Sequence, residues 1–378
     1  MASPTNDVLK PNDPAPLTSH RKPLPALTGI RFIAAMQVVF FHFGASFALR
    51  HSSTRLLGNF LANGWIAVSF FFMLSGFILS YTYTGQIEQP GGKRRFWEAR
   101  FARIYPVYLL SLLLMLPFQK HLPLGVAAAV VLMAQTWNPV HPEISGDWNL
   151  TAWTLSVEAF FYLLFPFVLP LLQRLSDRIL RATLTLLLLL MVCGHTMTHS
   201  IEPMSRRFLI PLPIFRLPEF VAGVTLGLLF LRRKGTGRSS IGVYVSLLAT
   251  AVVLLVFRDR WLSWIAVPYA LLIYGLAAWD SKVARLLGSG SFVLLGGASY
   301  AVYLLQMPVR SWVHLALTGN WNLAVDHSGM DAVLSPALLV GVSILAFLFW
   351  EEPARKWLRD WFRRKVESKV DAIRSRTN

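Results

Sequence analysis

His42 and Glu158 stand inside long apolar runs of a 378-residue chain. Ionisable side chains in such runs are costly and mark function by default. His42 lies among Phe40, Phe41 and Phe43. A neutral imidazole, with its ordinary pKa near ~6.5, takes a proton from a hydroxyl at physiological pH, so one reading of His42 is a general base. The competing reading is a buried histidine bonded to a neighbouring helix. Arg31 precedes it by eleven positions. On a helix, eleven steps of ~100° make three turns and ~20° more, which puts both side chains on one face, ~16 Å apart along the axis. Arginine then sits at the membrane surface and histidine near mid-depth. An arginine there is also ordinary anchoring.

Glu158 lies in W-T-L-S-V-E, Trp153–Glu158, at the head of an apolar helix. Buried carboxylates are neutralised or paired. Glu158 is therefore an orienting carboxylate or proton acceptor, or else half of a structural ion pair with Arg216 or Arg310. Glu219 follows Arg216 by three residues and can pair with it on one helix face. Arg100 and Arg103 are three apart and point the same way, so they can clamp a phosphate-rich ligand. They also belong to a cluster with Lys93, Arg94 and Arg95 that suits simple anchoring. Ser75-Gly76 is a small-residue notch, better suited to helix packing than to a nucleophile. Cys193 beside His195 and His199 lacks the partners of a zinc site, so no metal is expected.

These groups need a scaffold, and the composition says which kind. Hydrophobic residues make up 54% of the chain and charged residues 15%, against about 25% charged in soluble domains. Disorder is excluded, because disordered chains are apolar-poor. The net charge of +17 does not indicate a nucleic-acid binder, since the basic residues sit between apolar runs. One cysteine excludes an intramolecular disulfide framework. The expected fold is all-α, a polytopic membrane helical bundle.

Apolar segments occur near 30–48, 62–83, 101–118, 122–137, 152–172, 183–199, 212–231, 241–257, 261–279, 291–315 and 333–350. Positive charge in short loops marks the cytoplasm. By that rule 27 of the 36 basic residues fall on one side. The basic loops at 93–103 and 174–181 both fall inside, yet three segments separate them. One must not cross. The segment 122–137, bounded by Pro123 and Pro139, is the shortest and is expected to be re-entrant or interfacial. The expectation is ten transmembrane helices plus this segment, both termini cytoplasmic, with eleven crossings as the alternative. Residues 1–25 read as a flexible cytoplasmic arm, 26–354 as the membrane domain and 355–378 as a basic amphipathic tail on the membrane surface.

The motifs, taken together, resemble the membrane acyltransferase-3 family of O-acyltransferases. L-T-G-I-R-F-I-A-A with Arg31, then His42, is similar to the family's arginine–ten residues–histidine signature. F-F-F-M-L-S-G-F (Phe70–Phe77) is similar to its second-helix motif. Arg100 and Arg103, followed by Ile104-Tyr105-Pro106, match its arginine-x-x-arginine motif. W-T-L-S-V-E, S-Y-A-V-Y-L-L-Q-M-P (Ser299–Pro308) and E-E-P-A-R (Glu351–Arg355) resemble the rest. Singly each is weak, but their order across nearly the whole chain is specific. The resemblance implies an acyl-CoA donor at the cytoplasmic face of a cell membrane, a bacterial inner membrane. It implies transfer of a small acyl group, acetyl by default, to a hydroxyl. Acceptors in such a family are sugars of surface polysaccharides, macrolides or lipids.

By that carry-over His42 is the catalytic base and Glu158 a site carboxylate. Arg31, Arg100 and Arg103 bind the donor. Ser75, Trp153, Ser156, Tyr300 and Gln306 are supporting residues in the motif stretches. Many members have histidine at Gln306, and glutamine cannot titrate. No esterase-like domain is expected after Arg355, no bound cofactor is implied, and self-association is left open. The expected mechanism is direct transfer. Phosphates lie on the arginines and the pantetheine arm runs toward His42. The acceptor enters from the low-charge outer loops through Trp137, Asp147, Trp148 and Trp321. The rivals are a transporter or flippase, and an acyl-relay subunit that needs a partner.

Overall fold

A computed structural model describes residues 21–51, 55–119, 121, 123–137, 148–199, 211–233, 240–257, 259–319, 321 and 329–377. Among them every regular element is helical. In chain order these are α1 (Pro25–His51), α2 (Arg55–Ala62), α3 (Ala67–Tyr83), α4 (Gly92–Met115), α5 (Leu124–Val131), α6 (Trp153–Gln173) and α7 (Asp177–His199). There follow α8 (Pro213–Arg232), α9 (Ile241–Val256), α10 (Ala266–Ala278), α11 (Lys282–Leu287), α12 (Gly290–Thr318), α13 (Gly329–Ala346) and α14 (Glu352–Thr377). Most of the arm, Asp147, Arg206 and Arg207 lie outside the described residues.

Among the described residues, seven helical stretches are long and apolar enough to cross a membrane: Pro25–Gly44, Gly64–Tyr83, Gly92–Phe118, Leu150–Gln173, Pro213–Arg232, Gly290–Thr318 and Leu334–Lys365. A bilayer core is ~30 Å thick and a helix rises ~1.5 Å per residue. That explains why α9, with 16 residues, and α10, with 13, fall short of the span length. The 3-10 stretch Asp259–Ile265 leads directly into α10. The N-terminal turns of α7 carry Asp177, Arg178 and Arg181. Helix α5 has eight residues, ~12 Å, and cannot cross.

Two glycine seams set the helix register. At the α3–α8 contact, a Cβ on Gly76 would run into the Phe220 carbonyl, and one on Gly223 into the Met73 carbonyl. The Ser75-Gly76 notch is thus a packing device at Gly76. At the α1–α12 contact, a Cβ on Gly296 would meet the Thr28 carbonyl. The first seam carries the aromatic core: Phe161 of α6 stacks on Phe220 of α8 at 4.7 Å and meets Phe72 of α3 edge-on at 5.2 Å. The second aligns α1, which bears Arg31 and His42, with α12. Gly223→Val is expected to separate α3 from α8 and lower the yield of monodisperse protein several-fold on size-exclusion chromatography. Gly194→Val, where a Cβ meets open space, should leave that yield unchanged.

A π-helical stretch, Phe347–Glu351, joins α13 to α14. Such segments often mark functional sites in helices. Here it ends on Glu351, which is fully buried. The helix continues through residues 354 and 355 without a break, and Phe362 of α14 packs edge-on against Phe101 of α4 at 6.4 Å. The end of the N-terminal arm is also held. Arg21 donates to the Tyr81 and Thr84 carbonyls, and the Tyr81 hydroxyl donates to the Lys22 carbonyl at 2.9 Å.

Candidate active site

The three arginines singled out in the sequence converge on one cavity of about 150 Å³, although they come from two helices. Arg31 of α1 and Arg100 and Arg103 of α4 line it, together with Ser75 of α3, Glu158 and Tyr162 of α6, and Tyr300 and Tyr303 of α12. Each arginine is partly satisfied. Arg100 donates to the Tyr83 hydroxyl at 3.2 Å and lies over the Tyr83 ring at 5.5 Å. Its Nε is buried without a hydrogen-bond partner. Arg103 donates to Glu351 Oε1 and faces the Tyr300 ring at 6.0 Å. Arg31 interacts electrostatically with Glu351 and Glu158. Three guanidinium groups and one carboxyl group, Glu158, thus line the cavity wall. An anionic ligand would be stabilised there by open donors in a partly desolvated site.

Glu158 does not pair with Arg216 or Arg310. It interacts electrostatically with Arg31, Arg100 and Arg103 and lines the cavity beside Tyr162, whose hydroxyl lies 3.5 Å from Ser75 Oγ. Tyr300 is tied down by donating to the Ile104 carbonyl at 3.0 Å. Ser156, by contrast, lines neither this cavity nor the next. Its Oγ accepts from Thr136 Oγ1 at 2.8 Å and from the Thr136 backbone N–H at 3.2 Å. Its work is to hold Thr136 against α6.

His42 lies in a second cavity, of about 140 Å³, lined also by Val38, Phe41, Trp65, Val68, Trp153, Arg216 and Tyr303. Val68 and Tyr303 line both cavities and form the partition between them. The arginine cavity extends along α3 from Leu79 to Val68, ~16 Å at the helical rise. The arginines therefore stand near one end and the His42 cavity begins at the other.

The tautomer of His42 follows from its neighbours. Gln306 Nε2 donates to the Tyr303 carbonyl at 2.7 Å, which turns the amide oxygen toward the imidazole. Gln306 Oε1 then accepts from His42 Nδ1 at 2.9 Å. The Val38 carbonyl, one turn earlier, is a further acceptor near the ring. With the proton on Nδ1, a neutral His42 carries its lone pair on Nε2. Gln306 cannot titrate, but it orients the ring. Arg310 lies one turn beyond Gln306 and donates to the His42 carbonyl at 2.9 Å.

Arg216 and Glu219 pair as their spacing predicts, at 3.1 Å. The residues expected to receive an acceptor divide. Trp148 donates to the Leu112 carbonyl at 2.8 Å and Trp137 to the Ser156 carbonyl at 3.0 Å, so both indole N–H groups are used internally. Trp321 is half exposed and joins Phe118 and Trp312 in an aromatic group, with ring centroids 5.3–6.5 Å apart. Asp147 lies outside the described residues, as do the side chains of His195 and His199, and Cys193 is exposed.

Sequence reading assigned no role to Glu351, Tyr162, Tyr303 or Val68. Glu351 carried a signal, a carboxylate closing an apolar run in a motif stretch. Tyr303 stood in the Ser299–Pro308 motif stretch, and Tyr162 and Val68 read as ordinary span residues.

Comparison with known proteins gives the family. The model of a family described as an acyltransferase domain, Acyl_transf_3, matches residues 24–351. Acyltransferase MdmB of Streptomyces mycarofaciens is 30% identical over 349 residues, covering 85% of this chain and 88% of that protein. O-acetyltransferase OatA of Staphylococcus aureus is 24% identical over 367 residues, covering 88% of this chain but only 57% of OatA. No solved structure matches the chain. With that match running from the first turn of α1 to Glu351, and so through every helix that lines the two cavities, the chain belongs to the Acyl_transf_3 family and is a multi-pass membrane acyltransferase.

Proposed function

We propose that the protein moves a small acyl group, acetyl, from acyl-CoA to a hydroxyl of a cell-surface glycan, with His42 as general base. The observation that carries this reading is the pair of adjoining cavities, one lined by three arginines and one by His42, with Val68 and Tyr303 between them. Coenzyme A is a polyanion on a long, thin arm. Its phosphates suit Arg31, Arg100 and Arg103, and its arm suits the ~16 Å run along α3. The thioester then reaches the partition beside His42. A thioester already has a good leaving group, so transfer chiefly needs a base on the hydroxyl and charge stabilisation at the carbonyl oxygen.

The topology that serves this chemistry has ten crossings, both termini cytoplasmic, and donor entry from the basic side of a bacterial inner membrane. A glycan acceptor approaches from the other side, where the exposed ring of Trp321 offers a face for sugar stacking. A macrolide or lipid hydroxyl meets the same chemical requirement. The test incubates purified protein in lipid nanodiscs with radiolabelled acetyl-CoA and, separately, polysaccharide, macrolide and lipid acceptors. Label in the polysaccharide supports the reading. Label only in a macrolide or lipid moves the acceptor class. Transfer that needs a second protein makes the chain an acyl relay, and no transfer to any acceptor with either arrangement rejects the donor chemistry.

A further inference from the structure

Attack of a hydroxyl on a thioester turns the carbonyl oxygen into an oxyanion. His42 takes the hydroxyl proton and cannot also hold that charge. A preorganised donor at the oxyanion is commonly the largest single contribution to such a step. Of the hydrogen-bond donors that line the His42 cavity, Arg216 is the one that carries a fixed positive charge.

Arg216 sits in the first turn of α8 and is 6% exposed. Its guanidinium is held from two sides. Glu219 Oε1 lies 3.1 Å from one terminal nitrogen, and the other donates to Ser69 Oγ at 3.2 Å. Ser69 in turn donates to Glu219 Oε1 at 3.0 Å, and the guanidinium lies over the Phe72 ring at 5.4 Å. This triangle fixes the fork. It does not exhaust it, because arginine has five N–H donors. Nε of Arg216 is buried and has no hydrogen-bond partner. A buried, unpartnered charged donor is costly unless something fills the space. The same side chain lines the cavity that holds His42.

We propose that Arg216 is the oxyanion-stabilising residue of the transfer, an assignment that rests on the acyl-CoA reading above. His42 Nε2 removes the proton as the hydroxyl oxygen bonds to the thioester carbon. The carbonyl π pair moves onto oxygen, which accepts from Arg216. The pair then returns, the carbon–sulfur bond breaks, and the thiolate leaves and takes the proton from the imidazolium. The products are ester and free thiol, and no further reactant is consumed. Glu219 and Ser69 are positioning residues that hold the fork while leaving Nε open.

The test needs no acceptor. Binding to wild-type protein in nanodiscs is measured by calorimetry for two coenzyme A thioethers, acetonyl-CoA and trifluoroacetonyl-CoA. The second hydrates and ionises readily, so it imitates the tetrahedral adduct. Such analogues gain about 10²-fold or more over ground-state ligands. Wild type is expected to prefer the trifluoro compound by at least ~10²-fold. Arg216→Gln should reduce the preference to within about threefold while binding acetonyl-CoA normally, the pattern of a donor that acts only on the adduct. The double variant Arg216→Met/Glu219→Met removes both buried charges, so it leaves no orphan to unfold the protein. It should show the same lost preference. A preference retained in both variants overturns the role of Arg216 alone. Failure of wild type to bind either compound overturns the acyl-CoA reading and this assignment together.

Discussion

His42→Ala lowers acyl transfer by about 10²–10⁴-fold, the range a general base contributes, while expression and membrane insertion stay normal. The insertion arm matters because His42 lies on α1, whose packing on α12 is set at Gly296, well away from the imidazole. The substitution removes the Nδ1 contact with Gln306 and leaves that amide held by the Tyr303 carbonyl. The cavity should therefore keep its shape and lose its base. Binding of acetyl-CoA should change little, since the arginines line the neighbouring cavity. Gln306→Leu should act in the same direction but less, on the order of tenfold, because an unoriented ring still titrates. The measurement is label transfer under single-turnover conditions beside calorimetric binding of acetyl-CoA. Undiminished transfer by the His42 variant would remove the residue from the mechanism.

The second large effect concerns the ion pair between Arg103 and Glu351. Arg103→Met removes the hydrogen-bonded partner of the fully buried Glu351 carboxylate at the end of the π-helical stretch. Removing one partner of a buried pair costs about 3–5 kcal/mol, whereas replacing both with apolar groups is often neutral. The double variant Arg103→Met/Glu351→Met should then recover most of the thermal stability lost by the single one. Donor binding should not recover with it. A charged hydrogen bond to a phosphate contributes about 1.5–3 kcal/mol, so both variants should raise the Kd for acetyl-CoA by roughly 10–100-fold. The two readouts are the thermal unfolding midpoint in detergent and calorimetric affinity in nanodiscs. If stability and affinity recover together in the double variant, Arg103 is only a structural partner of Glu351.

These expectations draw unequally on the sequence. The apolar runs and their charge pattern gave the membrane bundle, because burial in lipid demands continuous helices and a low density of charge. The same scarcity made His42, Glu158, Arg100 and Arg103 visible. The eleven-residue interval from Arg31 to His42 placed both on one helix face, and the structure assigns one to each of two adjoining cavities. Helical spacing also paired Arg216 with Glu219. Segment 122–137 read as too short to span, and α5 has eight residues. The length of α9 and α10 was less legible. Hydropathy alone does not register where a helix gives way to the 3-10 stretch before α10.

What the chain by itself determined, then, is a membrane acyltransferase, with its candidate site residues on α1, α4 and α6. Motif order and periodicity act within single helices, and that much can be read locally. Neighbours are a different matter. That Arg103 meets Glu351, 248 positions away, and that Gln306 meets His42, 264 positions away, depends on which helices pack. That packing is decided by close backbone approach at Gly76, Gly223 and Gly296, a steric property of pairs of helices. Only the tertiary structure could divide the site at Val68 and Tyr303, and only it brings Arg216, paired on its own helix, to the cavity of His42.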